Sequence, residues 1–228
     1  MSIPSLAIVV CVPGPRDRLG DLPDEYEQIA GGLTPHGAPW RIVRLDPARN
    51  PDEIPLQGFD AVVFSGSPSS VNDPDPWIAA LMAQVRELHA RQVPMVGICF
   101  GHQLIAKALG GEVGANPDGL IAGPVAVHWH ADAPWMQPAR QEVILRAMHH
   151  DQVLRLPAGA EVIAEAAHCP IGAYRIGEHV LCTQHHPEMP GSHLNAILDI
   201  LERRPGRLAR RSSMPPAPRW RNRPTASW

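Results

Sequence analysis

The chain has 228 residues, 44% hydrophobic and 19% charged, which suits one large α/β domain whose core needs no staples. Its net charge of −3 is unevenly spread: residues 203–228 hold eight arginines and no acid, leaving 12 basic against 23 acidic side chains before them, a balance of −11. Such an acidic body excludes a nucleic-acid-binding surface, and no apolar run approaches the roughly 20 residues of a membrane helix.

Leu6–Val12 is a continuous apolar run without a basic segment before it, so it reads as a buried first strand rather than a signal peptide. A loop rich in Pro, Gly and Asp leads to a short helix over Asp24–Gly31, then a strand over Arg41–Leu45. Asp60–Phe64 is a third strand running straight into Ser65-Gly66-Ser67-Pro68-Ser69. Trp77, Leu81, Val85 and Leu88 have helical spacing within Trp77–Arg91, and Met95–Ile98 is a fourth strand. A helix over His102–Leu109 ends at Gly110-Gly111. This alternation predicts a doubly wound, mostly parallel sheet flanked by helices, with its site at the carboxyl ends of the strands.

The middle of the chain changes character. Short strands are predicted over Val125–Trp129, Glu142–Ala147, Glu161–Ala166, Ala173–Ile176 and Val180–Thr183. A last helix, Ser192–Glu202, has Ser192 as its N-cap. One domain therefore spans residues 1–202, followed by a basic Pro/Arg-rich tail, 203–228, without apolar periodicity. Its Trp220 and Trp228 sit among arginines; a solvated extension is the plainer reading, and docking on an acidic surface the other. Four cysteines (Cys11, Cys99, Cys169, Cys182) lack CxxC pairs and metal spacing, which predicts no disulfide framework and a reducing cytoplasm. No metal ligand set and no cofactor is predicted.

Three segments carry chemistry. Gly97-Ile98-Cys99-Phe100-Gly101-His102-Gln103 lies between a buried strand and a helix, where a thiolate is favoured by the helix dipole and free backbone N–H groups. Alone, this pattern fits a small buried hydrophobe equally well. Thr183-Gln184-His185-His186-Pro187-Glu188 opens at a second strand end and offers an imidazole to take the thiol proton and a carboxylate to fix its tautomer. Ser65–Val71 opens at a third strand end, where turn N–H groups can face an oxyanion. It could also be a plain turn, and it lacks the lysine and spacing of a phosphate loop.

Taken in this order, the three segments resemble class I (triad-type) glutamine amidotransferases, especially small domains similar to the amidotransferase half of GMP synthetase. The likeness covers Leu6–Glu202 and includes Leu109-Gly110-Gly111-x-Val113, Cys169-Pro170 and the closing His-Pro-Glu. The resemblance implies the flavodoxin-like amidotransferase fold and a catalytic triad of Cys99, His186 and Glu188. It also implies oxyanion donors at the backbone of Gly66 and Phe100, and substrate contacts from Gln103, His149 and Asp151. The activity implied is cleavage of glutamine or another γ-glutamyl amide through a thioester. The ammonia or amine released goes to a separate synthase partner or, in a dedicated hydrolase, to solvent.

Departures from the family's pattern cluster around the expected pocket. Ile121 stands where relatives often carry glutamate, His150 replaces a glycine, and Gly172 replaces a polar side chain. Trp129 and Trp135 fit core packing better than the lining of an apolar leaving-group pocket. Two other classes stay open: a non-catalytic binding module of the same fold, and a cysteine hydrolase of similar topology acting on other small molecules.

Overall fold

A computed structural model describes residues 3–14, 21–33, 40–130 and 140–202. Trp135 and the tail 203–228, with Trp220 and Trp228, lie outside the described residues. Eleven strands and four helices follow in chain order: β1 (Ser5–Val9), α1 (Glu25–Leu33), β2 (Arg41–Leu45), β3 (Ala61–Phe64), α2 (Pro76–Ala90), β4 (Met95–Ile98), α3 (Phe100–Ala108), β5 (Glu112–Ala115), β6 (Ile121–Trp129), β7 (Glu142–His149), β8 (Asp151–Arg155), β9 (Ala160–Ala166), β10 (Cys169–Ile176), β11 (Val180–Thr183) and α4 (Gly191–Glu202). A single 3₁₀ turn, Pro51–Glu53, sits between β2 and β3.

Nine strands form one sheet in the order β2-β1-β3-β4-β11-β10-β9-β6-β7. The first five run parallel, in the 2-1-3-4-5 order of flavodoxin-like folds; β10, β9, β6 and β7 add on antiparallel. The fully apolar β1 is explained by burial on both faces. Ala7 and Val9 join the cluster under α2 and α3, whereas Leu6 and Ile8 pack with Ile29 of α1 on the opposite face. Gln28 of α1 meets His193 of α4 through Nε2 and Nδ1, 3.1 Å apart, so α4 shares the α1 face. No helix among the described residues is long and apolar enough to cross a membrane.

Some boundaries differ from the sequence expectation, each for a local reason. The first strand stops at Val9: Val10 N–H still reaches Leu45 O at the end of β2, and the next amide, Cys11 N–H, turns to Ser65 Oγ. The last helix starts at Gly191, so Ser192 lies inside its first turn instead of capping it. The strand expected from Val125 begins at Ile121 and contains Pro124. It pairs with β9 only at His128 and Trp129, so a residue without an N–H is tolerated earlier along that edge. Strands β5 and β8 were not expected; they pair with each other in a separate two-stranded sheet against α3. Trp129 is half-buried against the Val127–Leu145–Ile163 cluster, which makes it a packing residue.

Candidate active site

Strands β3, β4 and β11 are direct neighbours in parallel register, with Phe64 beside Gly97 and Ile98 beside Thr183. Parallel neighbours lie about 4.8 Å apart and end on the same side of the sheet. The next residues are Ser65-Gly66, Cys99 and Gln184-His185-His186. Three segments remote in sequence therefore meet because three adjacent strands end together.

Cys99 is held at φ 52°, ψ −100°, a region that costs roughly 1–3 kcal/mol for a residue with a Cβ. The surrounding contacts enforce it. Cys99 N–H donates to Thr183 O at 2.8 Å, and Gly101 N–H to Ser65 O at 3.1 Å. The flanking glycines are required by close approach: a Cβ at Gly97 would fall 2.7 Å from the Gly101 backbone, and one at Gly101 would fall 2.3 Å from Phe64 O. Cys99 is only 4% exposed, and Phe100, first residue of α3, stacks on Trp77. A first-turn amide such as that of Phe100 has no intrahelical acceptor.

His186 Nδ1 lies 2.7 Å from Glu188 Oε1, which sets Nδ1 as the donor and leaves Nε2 for the sulfur. Burial works against the imidazolium. The Glu188 carboxylate and the Cys99 sulfur, both also hydrogen-bond partners, outweigh it and hold His186 well above the usual histidine range. The His186 backbone is fixed by its N–H donating to Arg146 O at 2.8 Å. Gly66 packs directly on this pair: a Cβ there would be 2.9 Å from His186 Cε1 and 3.7 Å from Cys99 Cβ. Gly66, Cys99, Phe100, His186 and Glu188 are thus brought together.

The three expected pocket residues have more specific positions. Gln103 is 4% exposed, and its Nε2 donates to Asp151 O at 2.9 Å and to Gln184 Oε1 at 3.1 Å. Gln184 Nε2 in turn reaches Cys99 Sγ at 3.5 Å. Gln103 therefore lies behind the cysteine, tying it to the Asp151 backbone. His149 ends β7 beside Met148, whose carbonyl is 3.7 Å from Cys99 Sγ, and its Nδ1 lies 3.0 Å from Asp151 O. Burial, with His168 adding to it, lowers His149 to about 4. The Asp151 carboxylate accepts from the Ser70 hydroxyl and pairs with His150.

Sequence reasoning missed Gln184, Ser65, Ser70 and Arg146. Ser65 was part of a recognised loop, but its hydroxyl, bridging Cys11 N–H and Gly66 O, has no sequence signal. Gly172 lies in an irregular stretch of β10, where the backbone of Ala164 and Glu165 closes its Cβ direction at 3.1–3.3 Å. A longer side chain there would first press on β9, not enter an open pocket.

The family model of glutamine amidotransferase class-I matches residues 24–199. The chain belongs to the class I glutamine amidotransferase family. Among its relatives, γ-glutamyl peptidase 3 of Arabidopsis thaliana is 32% identical over 171 residues, covering 72% of this chain and 68% of the plant protein. The glutamine-hydrolysing GMP synthase component of Saccharolobus solfataricus is also 32% identical, over 150 residues, 64% of this chain and 76% of that component. A solved glutamine amidotransferase from Methylobacillus flagellatus superposes with a TM-score of 0.68 at 26% identity, covering 96% of this chain and 83% of that one. The fold of this amidotransferase domain and the likeness read from its three segments agree with these relatives.

Proposed function

We propose that this chain hydrolyses a γ-glutamyl amide bond by covalent catalysis, with Cys99 as nucleophile, His186 as acid and base, and Glu188 as the group that orients it. The Cys99 thiolate adds to the amide carbonyl carbon, and the developing oxyanion is met by the backbone N–H groups of Gly66 and Phe100. The C–N bond then breaks as His186 passes its proton to the departing nitrogen, leaving a γ-glutamyl thioester. His186 takes a proton from water, which attacks the thioester; the C–S bond breaks and glutamate leaves. His149 and Asp151 form the wall on which the glutamyl part rests, and Gln103 supports it from behind through the Asp151 backbone.

The observation that carries this reading is the strained Cys99 elbow beside an imidazole already hydrogen-bonded to Glu188. A non-catalytic binding module would have no use for that strain. Of the two fates for the amine, we favour release to solvent by a stand-alone hydrolase. Relatives named γ-glutamyl peptidases match 72–75% of this chain, against 64% for the GMP synthase component. Supply of ammonia to a separate synthase partner is the second reading, resting on the likeness to that component. Residues 1–202 are the proposed catalytic unit. Four buried, unpaired cysteines suit a reducing cytoplasm as its location.

The test is turnover of glutamine and of a panel of γ-glutamyl amines and peptides, following glutamate, ammonia and free amine. Rapid cleavage of a γ-glutamyl amine or peptide by the chain alone supports the hydrolase. Glutamine turnover that needs an added synthase supports the second reading. Full activity retained in Cys99→Ala rejects both.

A further inference from the structure

A second cluster of reactive groups sits beside the triad; His149 alone among them has a part in the reading above, as a wall residue, and none takes part in the bond-breaking steps. His149 ends β7, His168 lies in the turn before β10, and His185 immediately precedes His186. Each offers a ring nitrogen, and the three nitrogens lie within 4.8 Å of one another. His168 Nε2 and His185 Nε2 are 3.5 Å apart. The ring centroids form a nearly equilateral triangle of 5.5, 5.6 and 6.1 Å.

Those distances can be set against what a tetrahedral ion requires. Zn–N bonds of about 2.0–2.1 Å place two ligand nitrogens about 3.4 Å apart and two ring centroids about 5 Å apart. The His168–His185 edge already has that length, and the two edges to His149, with centroids 5.5 and 6.1 Å apart, must shorten for all three nitrogens to reach one ion. The hydrogen-bonding pattern points the same way. His149 Nδ1 is committed to the Asp151 carbonyl, the kind of partner that fixes the tautomer of a metal-bound histidine. Its Nε2 is buried and meets no hydrogen-bond partner, in a side chain only 4% exposed. An orphaned acceptor of this kind has a cost, and a metal ion removes it.

We propose that His149, His168 and His185 form a three-histidine site for a Zn²⁺-class divalent ion, distinct from the Cys99–His186–Glu188 triad. The donor set, all imidazole nitrogen, suits zinc, cobalt or nickel better than calcium or magnesium. The sequence predicted no metal ligands because the three histidines are scattered through the chain, without the short spacing of a zinc motif.

The experiment is titration of the full, chelator-treated chain with Co²⁺, read by the visible ligand-field absorption of a four-coordinate ion, then displacement by Zn²⁺. One ion per chain is expected. Cys99→Ala should bind it as the wild type does, and His168→Gln should weaken it at least tenfold. Binding unchanged in His168→Gln, or lost in Cys99→Ala with His168→Gln unaffected, would overturn the proposal; the latter would place the ion on the triad. A measurement on the unmutated chain guards against a misfolded variant. Zn²⁺ should shift the imidazole ¹⁵N resonances of His149, His168 and His185 and leave the distant His89–His179 pair in place. Shifts confined to that pair would reject the site.

Discussion

The parallel and antiparallel halves of the sheet contribute differently. In the parallel half, β3, β4 and β11 end side by side and present Gly66, Cys99 and His186 on short, tightly packed turns. The antiparallel half comes round to the same site with Met148, His149 and Asp151, where β7 ends and the chain crosses to β8 of the small sheet. On the proposed function, the first half supplies the reacting groups and the second supplies the wall beside them. Beyond the β10–β11 ladder, links that join the two halves include Ser70 to Asp151, Gln103 to the Asp151 backbone, and the His186 N–H to Arg146 O.

If that division is right, substitutions in the parallel half should lower kcat and those in the antiparallel wall should raise KM. The largest effect is expected from Glu188→Gln, which keeps the shape but removes the charge that holds His186 protonated and oriented. A fall in kcat of about 10³-fold is predicted, measured on a γ-glutamyl amide with the fold checked by circular dichroism. Gly66→Ala should follow, with kcat down about 10²-fold, because its Cβ would stand 2.9 Å from His186 Cε1 and displace a ring that is buried and tied to Glu188. Ser70→Ala removes the link to Asp151, together with a contact inside its own loop that the Ser70 oxygen accepts from Asn72 N–H. It should raise KM roughly threefold and leave kcat unchanged; a matching loss in kcat would show that the two halves do not act separately.

The smallest effect near neutrality concerns stability. Burial holds His102 of α3 at about 3, against 6.5 in an unfolded chain. As the pH falls, the unfolded chain takes up this proton first. Stability is therefore complete above pH 6.5 and is lost towards pH 3, by about tenfold in the folding constant per pH unit for this one group. Denaturant titrations across that range, wild type against His102→Gln, should show a shallower acid slope in the variant.

The parallel half was legible in the sequence because burial on both faces leaves continuous apolar runs, and because chemistry at the strand ends leaves fixed spacings. Arg41–Leu45, Met95–Ile98 and Val180–Thr183 match the strands to the residue, and Cys99, His186 and Glu188 lie together beyond the strand ends. The antiparallel half was harder to read. Pro124 in β6 and Pro170 with Gly172 in β10 look like loop residues, yet each lies where a ladder partner is missing or irregular. Gln184, Ser70 and Arg146 act through hydrogen bonds to residues far away in sequence, which no periodicity records. His168 was overlooked for the same reason: its partners lie 19 positions before it and 17 after it.

The central claim is that a glutamyl group passes through Cys99. Rapid quenching of the full chain during turnover of a γ-glutamyl amide, followed by intact-mass and peptide mass spectrometry, tests it most directly. The account predicts a transient glutamyl adduct on Cys99 that disappears as glutamate is released. An adduct on another residue, or turnover with no adduct at any time under conditions that slow thioester hydrolysis, would contradict it.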